Sequence, residues 1–503
     1  MNRPLASLFV ALALTSAATA RDLVGVYDDA LKSDPQIRQA NANRLASREA
    51  RPQAWAALLP QINGALSRTQ DKVDGTEGNV AFDPATGVPY PVITPFTNSS
   101  ISKGWSLNLR ENLFSWSNWM AVKQADIQVV QAEASYRAAQ QNLILRVAQA
   151  YFNVLAALDG LEANQASLEA ISRQLDQANK RFEVGLIAIT DVQEAKAARD
   201  TAAAAVIAAK RTLATAGDQL SEITGQKYDV LNKPGDDMPL NTPQPANENE
   251  WVTVSLDQNV SLLSSRLAAD IARENVRIAF GGHLPTLDVI ASKSRTMVGA
   301  TESFPPSSPV SLDTATNDRQ YTLQLSIPLF SGGLTQSRVR QSQYLWIAAK
   351  EQVVQTSRAT ERQARDAYLG VISGIARVQA LRQALESSQT ALKATEAGYE
   401  VGTRTAVDVL TSRRILVQAQ TDYAVSRYDY IVSVIQLRLA AGNLSQTDVA
   451  EVNKWLAVSA PTVPAQPIQP PAEPQVMEQP QSQPQQTPPQ QAPQPPTPNP
   501  PKR

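Results

Sequence analysis

A stretch from the first half of this chain returns in the second, and that duplication limits what the chain can fold into. RFEVGLIAITDV, from Arg181 to Val192, is matched by GYEVGTRTAVDV, from Gly398 to Val409. At one constant offset Phe182 answers to Tyr399, Gly185 to Gly402 and Asp191 to Asp408, and the flanks follow, with Tyr151 matching Tyr368 and Gly225 matching Gly442. Each structural unit must therefore be built twice. Both copies stand between long helical tracts, with a glycine where one helix stops and a Thr-Asp or Val-Asp step where the next starts. This is the chemistry of a tight helix-to-helix turn, so each copy is expected at the tip of a long antiparallel helical hairpin.

From Asn118 to Val184 there is no proline, and Gly160 is the only interior glycine before the turn. At 1.5 Å per residue such a helix extends about 100 Å. Thr335 to Val401 is its counterpart. Apolar residues recur at heptad spacing in both tracts: Val154, Leu161, Leu168, Leu175 and Phe182, then Val371, Val378, Leu385, Leu392 and Tyr399. A strict repeat of this kind implies left-handed supercoiling against a partner helix. The return tracts, Thr190 to Thr224 and Ala406 to Ala441, supply Val206, Leu213 and Leu220 in one copy and Leu410, Val417, Ala424 and Ile431 in the other. On their own these tracts fit a coiled-coil spacer equally well.

Each half begins with helix and then turns to strand. Asp22 to Leu59 reads as helix with a break at Asp34-Pro35, ended by Pro60, and Pro285 ends the matching helix, because a proline cannot continue the helical ladder. The clearest strands are Trp105 to Leu113 and Tyr321 to Leu329, which alternate apolar and polar residues. Weaker ones lie near Ile62 to Thr69 and Leu287 to Ser294. They imply two hairpins with long loops over Val73 to Ser100 and Gly299 to Asp318. Alternation of this kind suits a soluble sandwich or a membrane barrel. Phe114, Trp116 and Trp119 gather where strand gives way to helix, as an interfacial aromatic belt would, and favour the barrel. Four strands cannot close one, so several chains must share it.

Met1 to Ala20 carries Arg3, an apolar run from Leu5 to Leu14 and a small-residue Ala18-Thr19-Ala20 site, the pattern of a cleaved export signal. The chain has no cysteine, which excludes disulfides, thiolate chemistry and an N-terminal lipidated cysteine. A net charge of -1 gives no basic excess for a nucleic-acid partner. The expected organisation is a signal over 1–20, a first repeat over 21–239, a second over 240–458, and a Pro/Gln-rich disordered tail over 459–503. The segments Gln226 to Glu250 and Glu451 to Ala457 are expected as neighbouring connections.

The twofold repeat, LPTLD after a helix, IPLFSGG before one, and the paired turns VGLIAITDV and VGTRTAVDVL together resemble the TolC family of outer-membrane efflux and secretion ducts, over about Asp22 to Val458. The resemblance implies an α+β membrane protein. Three copies would share one twelve-stranded β-barrel, four strands per chain, in the outer membrane, continued by a long antiparallel α-helical barrel through the periplasm. It implies a homotrimer in outer-membrane lipid that meets a periplasmic adaptor and an inner-membrane pump of the RND or ABC type. Val184, Gly185, Leu186, Val401, Gly402 and Thr403 would be the adaptor-contacting tips. Tyr399 and Arg404 of the second tip would link to Thr190 and Asp191 of the first and hold the tunnel closed, since an arginine and a phenol can each donate to one carboxylate. A plain helix-capping role for Asp191 is the alternative. Asp408 would ring the constriction, where three carboxylates on one axis raise one another's pKa. Thr411 stands where the best-known member carries a second acidic ring, which weakens the expected cation selectivity.

The function expected is a passive exit duct for drugs or secreted proteins. No GxxxxGK[ST] phosphate loop is present, so energy must come from the partner pump. The competing reading is a trimeric coiled-coil surface protein anchored by a shared barrel. An enzyme is disfavoured: the only histidine, His283, sits at a helix-strand junction, and no carboxylates have paired-acid or metal-ligand spacing, so no cofactor is expected.

Overall fold

The same capped break divides both short helical segments that open the two repeats. In the computed structural model, which describes residues 21–235, 237–303 and 308–462, α1 (Leu23–Ser33) passes to α2 (Pro35–Arg48) through Asp34. The Asp34 side chain accepts from the Gln36 backbone N–H at 3.1 Å, and Pro35 occupies the first helical turn, where its missing N–H costs nothing. In the second repeat Asn259 does the same between α6 (Glu248–Gln258) and α7 (Val260–Phe280), with the backbone angles of Asp34, φ -62° and ψ 120°. Pro60 and Pro285 then end the helical segments as expected, the first after the short α3 (Ala50–Ala56) and the second after a 3-10 turn at Gly281–His283.

Four antiparallel strands follow in the order β1-β2-β4-β5: β1 (Gln61–Phe82), β2 (Pro89–Phe114), β4 (Thr286–Ser303) and β5 (Val310–Ser326). The strands overturn the expected long loops. Residues 73–82 and 89–100 lie inside β1 and β2, paired from Val73↔Asn98 out to Phe82↔Pro89, and the connection shrinks to a turn where the Asp83 carboxylate accepts from the Ala85 N–H at 2.8 Å. Most of Gly299 to Asp318 is likewise strand. Polar and glycine-rich sequence hid these extensions. Among the described residues Pro91 and Pro95 fall where β2 pairs only with β1, because its pairing with β4 begins at Thr97, and a proline is tolerated on such an edge. At the other end β5 stops at Ser326, and Ile327 and Leu329 lie beyond it.

The long helices are as expected: α4 (Trp116–Glu183), α5 (Ile189–Thr224), α8 (Leu334–Glu400) and α9 (Ala406–Ala441). Val154, Leu161, Val371, Val378 and Leu392 of the heptad series are buried, as are Val206, Leu213 and Leu220 opposite them. Phe182, last in its series, is exposed. The core sits midway along the helices, where Leu143 to Leu161 of α4 meet α1, the second half of α9 and α10 (Gln446–Asn453). There β3 (Val230–Pro234) pairs with β6 (Leu456–Pro461), so the two expected connections are neighbours. The strand β6 runs past Ser459, where the tail was expected to begin. Beyond Thr462 the tail, like the export signal, lies outside the described residues.

Two buried tyrosines lock this belt. The Tyr151 hydroxyl donates to the Asn232 carbonyl at 2.6 Å and accepts from the Asn232 N–H at 3.0 Å, while Tyr430 grips Asn241 in the same two-sided way. Burial pushes the pKa of both phenols upward, so they remain neutral donors. The carboxyl end of α9 is fixed by Gly442 at φ +79°, where an added Cβ would lie 2.4 Å from the Gln258 carbonyl oxygen. Gly442→Ala therefore meets both a left-handed backbone and a collision with another backbone. It is expected to destabilise the fold by about 2–4 kcal/mol, read as a lower melting temperature by circular dichroism in detergent.

Candidate functional site

Both repeats end in the same turn. α4 closes with the Gly185 N–H donating to the Phe182 carbonyl and the Leu186 N–H to that of Arg181, both at 2.9 Å, and α8 closes with Gly402 on Tyr399 and Thr403 on Gly398. Gly185 and Gly402 adopt φ +77° and +80°, which a side chain would strain. Apolar side chains crowd both tips, and Leu186 and Val401 are 73% and 75% exposed. With Val184, Gly185, Gly402 and Thr403, all exposed, they form a chemically matched pair of apolar knobs.

The return helices start differently. In α9 Thr405 is the N-cap, and its hydroxyl and N–H both donate to Asp408 at 3.0 Å while the Asp408 N–H donates back to the hydroxyl, a closed capping box. Those bonds, with the nearby Arg404 guanidinium, hold the Asp408 carboxyl below its usual range. Within one chain, then, the residue expected to ring the constriction is committed as a helix cap, and its pKa moves down. The T-x-x-D spacing could have revealed this. In α5 the N-cap is Ala188, with no side-chain capping bond, so Asp191, at the position matching Asp408, is not the N-cap, and no capping bond to its carboxylate is seen among the described residues.

The four expected gate residues are not joined in a single chain. Among the described residues, no side-chain hydrogen bond or ion pair connects Tyr399 or Arg404 with Thr190 or Asp191. What bridges the two tips is Arg181, whose guanidinium carbon lies 5.4 Å from the centre of the Tyr399 ring. Behind the second tip, Arg413 pairs with Glu396, and the Ser412 hydroxyl donates to Thr395 at 3.2 Å, fastening α8 to α9. Sequence reasoning missed Arg181, Arg413, Glu396, Ser412 and Thr395, as it missed the Thr405 cap. At the sheet end Phe114 and Trp119 are exposed, and Trp119 stacks edge-on with Trp55 at 6.1 Å. Trp116 is half-buried beside Gly281, with its indole N–H enclosed and unpartnered, so it packs on protein rather than joining an outward belt.

A pair of long helical hairpins continued by an open antiparallel sheet, built twice over and capped by two apolar tips, defines a duct subunit of the bacterial envelope. The chain belongs to the outer membrane efflux protein family, whose profile matches residues 26–226 and 251–443. It is 36% identical over 463 residues to the outer membrane protein TolC of Vibrio cholerae serotype O1, covering 91% of this chain and 99% of that one. To TolC of Escherichia coli K12 it is 37% identical over 458 residues, 90% of this chain and 88% of the other. The CmeC outer membrane channel of Campylobacter jejuni shares the fold, with a TM-score of 0.64 at 19% identity over 91% of this chain and 98% of that one. The protein is an outer-membrane exit duct for efflux or secretion, a transport protein and not an enzyme.

Proposed function

We propose that three copies close one twelve-stranded barrel in the outer membrane, continue as a helical tunnel across the periplasm, and open at the tips when an adaptor and an inner-membrane pump engage them. The observation that carries this reading is the pair of unpaired edges. β1 and β5 have 22 and 17 residues, each pairs on one side only among the described residues, and Leu66 on β1 and Tyr321 on β5 are 89% and 83% exposed. Edges of that length cannot stand in lipid with their backbone groups unpaired, and joining β5 of one copy to β1 of the next removes both.

The sheet has two unlike faces. Register places Leu66, Trp105, Leu107, Leu109, Val289, Tyr321 and Leu323 on one face, and Ser67, Ser106, Asn108, Ser292, Thr322 and Gln324 on the other. On the central strands the first set is the more exposed, as on the convex side of a curled sheet. The apolar face then meets lipid and the polar face lines the lumen. At the tips, the exposed Arg404 guanidinium is free to reach Thr190 and Asp191 of a neighbouring copy, and the uncapped Asp191 is free to accept it.

Because the chain has no native cysteine, introduced pairs report closure without background. Cysteines placed along β1 at Ile62, Gly64 or Leu66 and along β5 at Tyr321, Leu323 or Leu325 are combined pairwise and oxidised in membranes. At least one combination is expected to yield a ladder ending at a covalent three-chain species on a denaturing gel. If every combination leaves only single chains, the shared barrel is wrong.

A further inference from the structure

We infer that the lipid-facing side of the sheet carries a basic belt that binds the phosphate groups of a phosphorylated glycolipid in the outer leaflet. The inference rests on the reading above, that this face meets lipid and that the strand turns point outward. Three successive rows of that face read Gly64–Leu107–Lys293–Arg319, Leu66–Trp105–Arg295–Asn317 and Arg68–Lys103–Met297–Ala315. They hold five cations and no carboxylate, and every strand contributes at least one. The nearest acids on the same face are Asp313, one row outward, and Glu111, toward the helices.

All five cations are exposed, and among the described residues none pairs with a carboxylate. Lys293 only overlies the Trp105 ring, at 5.9 Å. Other basic side chains of the sheet have partners: Arg110, on the lumen face, pairs with Asp288, and Lys72, farther out, pairs with Asp74. The five therefore form a charged band with no paired counter-charge among the described residues of their own chain.

The height of the band identifies the counter-charge. A lysine or arginine on the lipid face is expensive at the bilayer centre and nearly free at its surface, so the belt must lie at a headgroup level. From Phe114, where β2 gives way to the helices, the strand at about 3.3 Å per residue and a tilt near 40° rises roughly 18 Å to the row of Lys293 and Arg319 and roughly 28 Å, one hydrocarbon thickness, to Lys103. Between the innermost basic row and the helices that face holds Ile62, Leu109, Ala291, Tyr321, Val289, Leu323, Leu287 and Leu325, interrupted by Glu111 alone. The outermost row thus stands one membrane thickness above the exposed Phe114 and Trp119, at the surface from which the strand turns project, and the inner rows reach that surface through their long side chains. A zwitterionic headgroup offers no net charge to such a band, whereas a sugar bearing several phosphates offers multiple anions in one molecule, spaced to span neighbouring strands.

The test uses the assembled protein in detergent micelles doped with one lipid at a time: doubly phosphorylated lipid A, the same glycolipid stripped of phosphate, phosphatidylglycerol or phosphatidylethanolamine. Retained lipid is counted by native mass spectrometry. The expected result is about tenfold preference for the doubly phosphorylated glycolipid over its phosphate-free form and over phosphatidylethanolamine. That preference should vanish in K103Q/K293Q/R295Q/R319Q and survive in K103R/K293R, which keeps the charges. If the fourfold variant does not assemble, the single R295Q and R319Q variants are expected to lose part of the preference. Equal retention of phosphatidylglycerol overturns the assignment to a glycolipid, and equal retention of every lipid by wild type and variants overturns the belt. Uptake of no lipid at all, with Leu323→Cys labelled by a water-soluble maleimide, overturns the membrane reading beneath it.

Discussion

Arg404→Ala combined with Tyr399→Phe is expected to raise the conductance of the duct in planar bilayers severalfold, with little change in the amount assembled. The closed state proposed above depends on donors from the second tip meeting acceptors on the first. Arg404 is exposed and makes no ion pair among the described residues of its own chain, while the carboxylate of Asp191, unlike that of Asp408, is not consumed by a capping box. A charge-assisted bond contributes about 1.5–3 kcal/mol, and 1.4 kcal/mol is a tenfold shift in a two-state equilibrium. Loss of one such link per copy is therefore enough to move a mostly closed entrance to a mostly open one.

The design of the double variant separates two contacts at the same tyrosine. Tyr399→Phe removes the hydroxyl but leaves the ring that Arg181 overlies, so that within-chain contact survives. Arg181→Ala tests the ring contact by itself, and an exposed cation–π pair of about 0.5–1 kcal/mol predicts a smaller rise in conductance. If Arg181→Ala opens the channel as far as the double variant does, the gate lies in the Arg181–Tyr399 pair. Unchanged conductance in both would remove the gating role of these tips.

What the sequence disclosed here followed from periodicity, and what it concealed followed from contact. The duplicated turn, the heptad series through Val154 and Val371, and the proline stops at Pro60 and Pro285 are local signals, and the structure has them where the spacing puts them. The outer halves of the hairpins had no such signal. Their apolar residues, among them Val80, Phe82, Tyr90 and Ile93, fall on both faces, and Pro91 and Pro95 read as breakers until the register shows that, among the described residues, they pair with β1 alone. The clamps of Tyr151 on Asn232 and Tyr430 on Asn241 join residues far apart in the chain, and Tyr430 does not match Tyr151 in the repeat, so duplication gave no hint of them. At the tips the repeat itself misled. It made Asp191 and Asp408 equivalent, but the residue three positions earlier, Ala188 in one copy and Thr405 in the other, decides which carboxylate is already occupied.

Leu323→Arg with Leu325→Arg is expected to lower assembly in the outer membrane severalfold, whereas Gln324→Arg between them leaves it intact. All three residues lie on β5, all are exposed in the single chain, and they differ only in the face that the register assigns them: Leu323 opposes Val289 and Leu325 opposes Leu287, while Gln324 opposes Asp288. In a water-soluble sandwich the sheet would bury one face against protein, and exposed arginines on the other would cost little. In lipid an arginine costs about 2–4 kcal/mol at the bilayer middle and about 0–1 at its surface; Leu325 lies in the row of Phe114 and Leu323 roughly 8 Å deeper, so Leu323→Arg carries most of a penalty that is repeated in each copy of a shared barrel. The lumen-side arginine meets water and the Asp288 carboxylate, so it carries no such penalty. The measurement is the fraction of protein recovered in the outer-membrane pellet as the multi-chain species. An outcome that follows the alternation of the strand locates lipid on the apolar face, and equal recovery of both variants would place that face away from lipid.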